Sequence, residues 1–149
     1  MPALPGQLLL QGEFDTSLRV MTGHNTDEGL LFTSPFVQTP ADLLAQLSLL
    51  FPTIQPGAAA YVADVLYPPV YDGSQGYADP VARNALLHSE AIFTCNANYL
   101  ARAYGNDTFG YLFAVAPGLH GMDIPCVCLS SRPPLLAAPP VLARRNATG

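Results

Sequence analysis

The chain has 149 residues, half of them hydrophobic and 11% charged, with 15 prolines and a net charge of −5. That length accommodates one domain with its own core, and the acidic balance argues against nucleic acid or an anionic membrane as a partner. The charged fraction lies far below the roughly one quarter of an average soluble protein, so the sequence reads as a piece of something larger, with apolar faces that need neighbours.

Residues 1–17 read as a loop leading into the first strand, with no basic n-region and an apolar run, Leu8-Leu9-Leu10, too short for a signal peptide. No stretch approaches the ~18 uninterrupted apolar residues of a membrane span. The run Leu18-Arg19-Val20-Met21 predicts a buried strand that breaks at Gly23 into the polar turn His24-Asn25-Thr26-Asp27-Glu28-Gly29. Leu30-Leu31-Phe32 then resumes the apolar pattern. Thr39-Pro40-Ala41-Asp42 is a helix start, with Thr39 as N-cap and Pro40 at the first helical position. Leu43, Leu44, Leu47 and Leu50 follow at helical spacing until Pro52. A shorter helix is expected over 58–66, then a loop rich in Pro, Gly and Tyr.

A long helix is predicted over 79–104, capped by Asp79, with Pro80 in its first turn and Gly105-Asn106 closing it. Val81, Ala85, His88, Ile92, Asn96, Tyr99 and Ala103 mark the stripe expected to pack on a sheet. The apolar run over 109–115 reads as a strand of the kind found inside a parallel sheet. Strand, helical crossover and strand make a β-α-β arrangement. The fold class expected is therefore α/β, and both turn motifs emerge at one edge of the sheet. After Pro125 the periodicity is lost, and residues 126–149, rich in Pro and Ala, are expected to be disordered.

An open α/β sheet places its chemistry at strand ends. Glu28, between a strand and Gly29, is the better placed of the two adjacent acids. His120, between Leu119 and Gly121 after the second strand, is within reach of both an acid and a nucleophile. A buried carboxylate orients an imidazole and stabilises its protonated form, so Glu28 and His120 are two thirds of a nucleophilic triad. Equally, Asp27-Glu28 fits a solvated turn and His120 a polar loop. His24 and His88 are weaker candidates, and His88 suits a hydrogen-bonded structural histidine.

No nucleophile accompanies them. Asp72-Gly73-Ser74-Gln75-Gly76 lacks the first glycine of Gly-x-Ser-x-Gly and has loop on both sides. No cofactor is implied, since phosphate-binding loops and dinucleotide glycine fingerprints are absent. No metal is implied either: Cys126-Val127-Cys128 has no second cluster, and the three cysteines read as buried or unpaired thiols. Asn106-Asp107-Thr108 and Asn146-Ala147-Thr148 are glycosylation sequons, the first plausible in a secreted parent.

Gly23-His24-Asn25-Thr26-Asp27-Glu28-Gly29 with Leu30-Leu31-Phe32 resembles the acid motif of the type-B carboxylesterase, lipase and cholinesterase family. Tyr111-Leu112-Phe113 through Pro117-Gly118-Leu119-His120-Gly121-Met122-Asp123-Ile124-Pro125 resembles its histidine motif. Phe93-Thr94-Cys95-Asn96 and Tyr99-Leu100-Ala101 between them also fit, with the flavour of fungal secreted members. The likeness covers about residues 3–125.

This resemblance implies an α/β-hydrolase fold truncated at both ends, with residues 1–125 as a late portion of the esterase domain. It makes Glu28 the triad acid and His120 the general base of a serine esterase acting on a small carboxylic ester, in a secreted parent. The serine elbow and the oxyanion loop would belong to a missing N-terminal half of the same fold, which leaves this chain inactive alone. A non-catalytic cholinesterase-like binding module and a truncated, pseudogene-like product are the competing expectations.

Overall fold

A computed structural model of the chain describes residues 3–128. The tail expected beyond residue 128, and the sequon at Asn146, lie outside the described residues. The described residues fall into two compact units, one built from the chain up to Glu28 and from Ala91 onward, the other from Gly29–Glu90.

The first unit opens with a helix where the sequence suggested a loop. α1 (Pro5–Gln11) starts with proline in its first turn and ends at Gly12, whose φ of 73° closes it in the left-handed region. Its apolar residues face outward as well as inward, with Leu10 86% exposed, so no amphipathic pattern announced it. α1 packs on α5 (Cys95–Tyr104), and the ring of Phe14 lies 4.8 Å from that of Tyr104.

The two strands are β1 (Val20–Asn25) and β2 (Thr108–Phe113). They pair in parallel, from Val20 opposite Thr108 to Asn25 opposite Phe113. This is the expected parallel pair, and the described residues form a mixed α/β structure with one two-stranded sheet. Three details differ from the sequence reading.

First, β1 does not break at Gly23 but runs through it. A Cβ at Gly23 would stand 2.4–2.6 Å from the Tyr111 ring, so this glycine serves a close approach inside the strand rather than a turn. Second, Leu30-Leu31-Phe32 is not strand: Glu28–Phe32 forms a 3-10 helix, with all three apolar side chains about half exposed. Third, the strands are not buried runs. Met21 is 64% exposed, and Phe109 and Leu112, which the pleat sends to opposite faces of the sheet, are exposed as well.

The second unit is helical. α2 (Pro40–Leu50) begins as expected: Thr39 Oγ1 accepts from Asp42 N at 3.2 Å, and Asp42 Oδ2 accepts from Thr39 N at 2.9 Å, a reciprocal capping box. The expected short helix is α3 (Pro56–Tyr61), continued by a π-helical turn at Val62–Leu66. α4 (Pro80–His88) is capped by Asp79, whose carboxylate accepts from Ala82 N at 2.8 Å. Val37, Leu43, Leu47, Ala59, Ala63 and Leu87 meet in one buried apolar core. Burial of each leucine contributes roughly 1.5–3 kcal/mol. Arg83, 2% exposed, closes the π turn by donating to Tyr67 O at 2.7 Å and Ala63 O at 2.6 Å.

The long helix over 79–104 is not uniform. Between α4 and α5 the chain takes a π-helical turn at Ser89–Thr94. The i→i+5 bonding of such a turn admits an extra residue. Of the predicted stripe, His88 is buried, Val81, Ala85, Ile92 and Ala103 are partly buried, and Asn96 and Tyr99 are exposed, while Arg83, Asn84 and Leu87 are buried outside it. Finally, α6 (Ile124–Cys128) is a short helix that runs across the point where disorder was expected to begin.

Candidate functional site

The ends of β1 and β2 carry the two candidate residues, and both belong to the first unit. Beyond Asn25 the chain stays beside the second strand's exit: Thr26 N donates to Phe113 O at 3.1 Å and Asp27 N to Gly118 O at 2.9 Å. Asp27 and Leu119 form a last parallel bridge. Gly118 is required here twice over. Its φ is 62°, and a Cβ would meet Thr26 Oγ1 at 1.9 Å. The two turns are thus zipped together, and Glu28 comes to face His120 across 92 positions of sequence.

Glu28 Oε2 lies 2.5 Å from His120 Nδ1. Its other oxygen, Oε1, accepts from Asn25 N at 2.6 Å. The Glu28 side chain is 6% exposed and that of His120 45%: the acid is enclosed and the imidazole reaches the surface. A carboxylate only accepts, so Nδ1 carries the hydrogen, and Nε2 is left as the nitrogen that takes a proton. The Phe93 ring rests against the imidazole at 4.8 Å between centroids. A hydrogen bond between a charged acceptor and a ring N–H in a largely enclosed position is stronger than one between neutral groups. The arrangement can hold one imidazole tautomer and stabilise the imidazolium formed when Nε2 is protonated.

The other sequence candidates stand apart from this pair. Asp27 is exposed, so of the two adjacent acids only Glu28 is enclosed. His24, partly buried, turns Nδ1 to Asn25 O at 3.0 Å and lines an open groove of about 480 Å³ with Thr22, Thr94, Asn98 and Tyr111; neither Glu28 nor His120 lines it. His88 is 1% exposed and its Nδ1 meets Asn84 O at 2.9 Å, the structural role its position suggested. Ser74 belongs to the second unit, in an exposed loop where its hydroxyl donates to Asp72 Oδ1 at 2.6 Å. Cys95 and Cys126 are exposed free thiols, so burial does not describe either. Among the described residues no group of three or more His, Cys, Asp or Glu side chains is placed to hold a metal ion.

Sequence reasoning missed the groups around the pair. Asn25 is 1% exposed; its Nδ2 donates to Leu119 O at 2.6 Å and to Asp123 Oδ1 at 3.3 Å. Asp123 Oδ2 in turn accepts from Tyr111 OH at 2.5 Å. All three residues stood inside the two motifs, yet no spacing rule links Asn25 to a residue 98 positions away.

The chain is similar to two fungal carboxylesterases. It is 32% identical over 123 residues to carboxylesterase patB of Penicillium expansum, covering 83% of this chain and 22% of the relative. It is 31% identical over 127 residues to carboxylesterase patB of Aspergillus clavatus, covering 85% and 23%. The chain thus spans less than a quarter of the length of the curated relatives it matches. No family model matches the sequence, and no solved structure does. By these two relatives, the chain carries a carboxylesterase-like relationship.

Proposed function

We propose that this chain supplies the acid and the general base of a serine carboxylesterase of the type-B, cholinesterase-like kind. The observation that carries the reading is the contact of 2.5 Å between the enclosed Glu28 carboxylate and His120 Nδ1. In this mechanism His120, oriented by Glu28, takes the proton of a serine hydroxyl as the oxygen attacks the ester carbonyl. The imidazolium returns that proton to the departing alcohol, leaving an acyl-enzyme. His120 then activates water, and the acid is released.

The substrate class is a small carboxylic ester, in keeping with the named activity of the relatives. The serine is the group this sequence does not offer, because none of its serines stands in Gly-x-Ser-x-Gly. We place the nucleophile and the oxyanion donors on a preceding portion of the same fold, in a parent that passes through the secretory route. Asn106-Asp107-Thr108 is the sequence feature that agrees with that route.

The test is hydrolysis of a short-chain nitrophenyl ester. The chain alone should show no turnover above its His120→Ala variant. Joined to the serine-bearing N-terminal portion of a fungal carboxylesterase, it should hydrolyse the ester, and His120→Ala should lower that rate by about 10³-fold or more. Turnover by the joined protein that survives His120→Ala would overturn the reading. Turnover by the chain alone that disappears with His120→Ala would show that it carries its own nucleophile.

A further inference from the structure

An imidazole that is 45% exposed and sits in a loop has rotamer freedom to lose before it can act on one fixed proton. The contact to Glu28 fixes the ring only if the loop beneath it is also fixed. The polar groups that do this converge on Asn25. Its main-chain N–H donates to Glu28 Oε1 at 2.6 Å, and its side-chain amide donates to the carbonyl of Leu119, the residue before His120, at 2.6 Å. One buried residue therefore holds the acid through its backbone and the base's loop through its side chain.

Two more groups hold Asn25. Asp123 Oδ1 accepts from the same amide at 3.3 Å, and Asp123 Oδ2 accepts from Tyr111 OH at 2.5 Å. Both partners of the Asn25 amide are oxygens, a carbonyl and a carboxylate, so only its nitrogen can face them, and its orientation is determined. Tyr111 is itself tied to the sheet. It stands opposite Gly23 in the strand register, and its ring occupies the space a Cβ at Gly23 would need. The groups close a circuit from β1 through Tyr111 and Asp123 back to the end of β1 at Asn25.

We propose that Asn25, backed by Asp123 and Tyr111, is the positioning residue that sets the Glu28–His120 geometry. Its catalytic consequence rests on the esterase reading, whereas its effect on the hydrogen bond does not. Asn25→Asp keeps the size and the main-chain donor but removes the amide hydrogens. It also sets a carboxylate against the Leu119 carbonyl and the Asp123 carboxylate, where like charges repel.

The experiment follows the His120 Nδ1–H proton of the full chain by nuclear magnetic resonance, as a low-field signal whose exchange with water can be timed. The wild-type chain should show this signal and Glu28→Gln should lose it. Asn25→Asp should retain a cooperative melt yet exchange the proton roughly tenfold faster, the size expected for the net worth of about one lost hydrogen bond. Tyr111→Phe, which removes one hydroxyl from the edge of the circuit, should give a smaller acceleration. If Asn25→Asp does not fold, Tyr111→Phe decides: an accelerated exchange supports the proposal and an unchanged one overturns it.

A folded Asn25→Asp chain with wild-type exchange overturns the proposal and leaves the esterase reading intact. Absence of the signal from the wild-type chain also overturns it. An Asn25-dependent signal in a chain that gives no hydrolysis when joined to a serine-bearing portion sinks the esterase reading instead, and the positioning role stands.

Discussion

The two units of this chain are held together by different forces. Residues 29–90 enclose a buried apolar cluster of Val37, Leu43, Leu47, Ala59, Ala63 and Leu87, and the non-directional burial of apolar area stabilises it. In the unit that carries the sheet, the buried residues are mostly polar: Asn25, Glu28 and Thr108, with Phe113 the buried large hydrophobe among the described residues. Order there comes from hydrogen bonds of fixed direction, among them those of Asn25, Asp123 and Tyr111. Apolar burial tolerates small shifts; an acid–base pair does not, since its partners must stay within hydrogen-bond reach and alignment. The helical unit buries polar groups too, Arg83, Asn84, His88 and Ser89, but beside an apolar cluster that the described residues of the sheet-bearing unit lack.

That contrast makes the largest mutational effect on stability fall in the helical unit. Leu87→Ala, at a position 1% exposed, should destabilise by about 2–5 kcal/mol through lost burial and the cavity left behind. Amide exchange should accelerate first across residues 29–90. Equal acceleration through β1 and β2 would show that the units do not differ in the way described. A smaller effect belongs to the entry of α2. Thr39→Ala should cost about 1 kcal/mol by removing the cap on Asp42 N.

The same capping box gives a pH dependence of known sign. The Asp42 carboxyl is held below its ordinary value by the hydrogen bond from the Thr39 side chain, then by those from the Thr39 and Gln38 backbones. A folded value below the unfolded one means that the unfolded chain binds more protons. The contribution is therefore full above the ordinary aspartate range and is lost as the pH falls through the lowered value. Relative to the intrinsic rate, which itself slows with acid, exchange of the first amides of α2 should rise in that acid window, and Thr39→Ala should flatten the rise. A rise of equal size in Thr39→Ala would contradict the assignment.

Local signals in the sequence carried α2, because Thr39, Pro40 and Asp42 are a cap and Leu43 and Leu47 repeat at helical spacing. The strand pair and the placement of Glu28 and His120 near its ends were also legible, since apolar runs and polar turns mark strand exits. Two of the misreadings, at Gly23 and Asn25, depend on contacts distant in sequence, and two on local structure that leaves no pattern. Gly23 looked like a break because glycine usually is one, and only the Tyr111 ring explains it. The π turn at Ser89–Thr94 left no mark in composition. Asn25 read as one more turn residue until Leu119 and Asp123 were beside it. α1 carries its leucines on all sides, so periodicity had nothing to report.

The central claim is that Glu28 and His120 act as one unit in ester hydrolysis. A double-mutant cycle on the chain joined to a serine-bearing N-terminal portion tests it directly, with kcat/KM for a nitrophenyl ester measured for wild type, Glu28→Gln, His120→Ala and the double variant. Residues that act as a unit are strongly non-additive. The double variant should therefore be about as slow as His120→Ala alone, because Glu28 has nothing to orient once the imidazole is gone. If the two losses multiply, each residue works independently, and the pair at the strand ends is not the acid and base of an esterase.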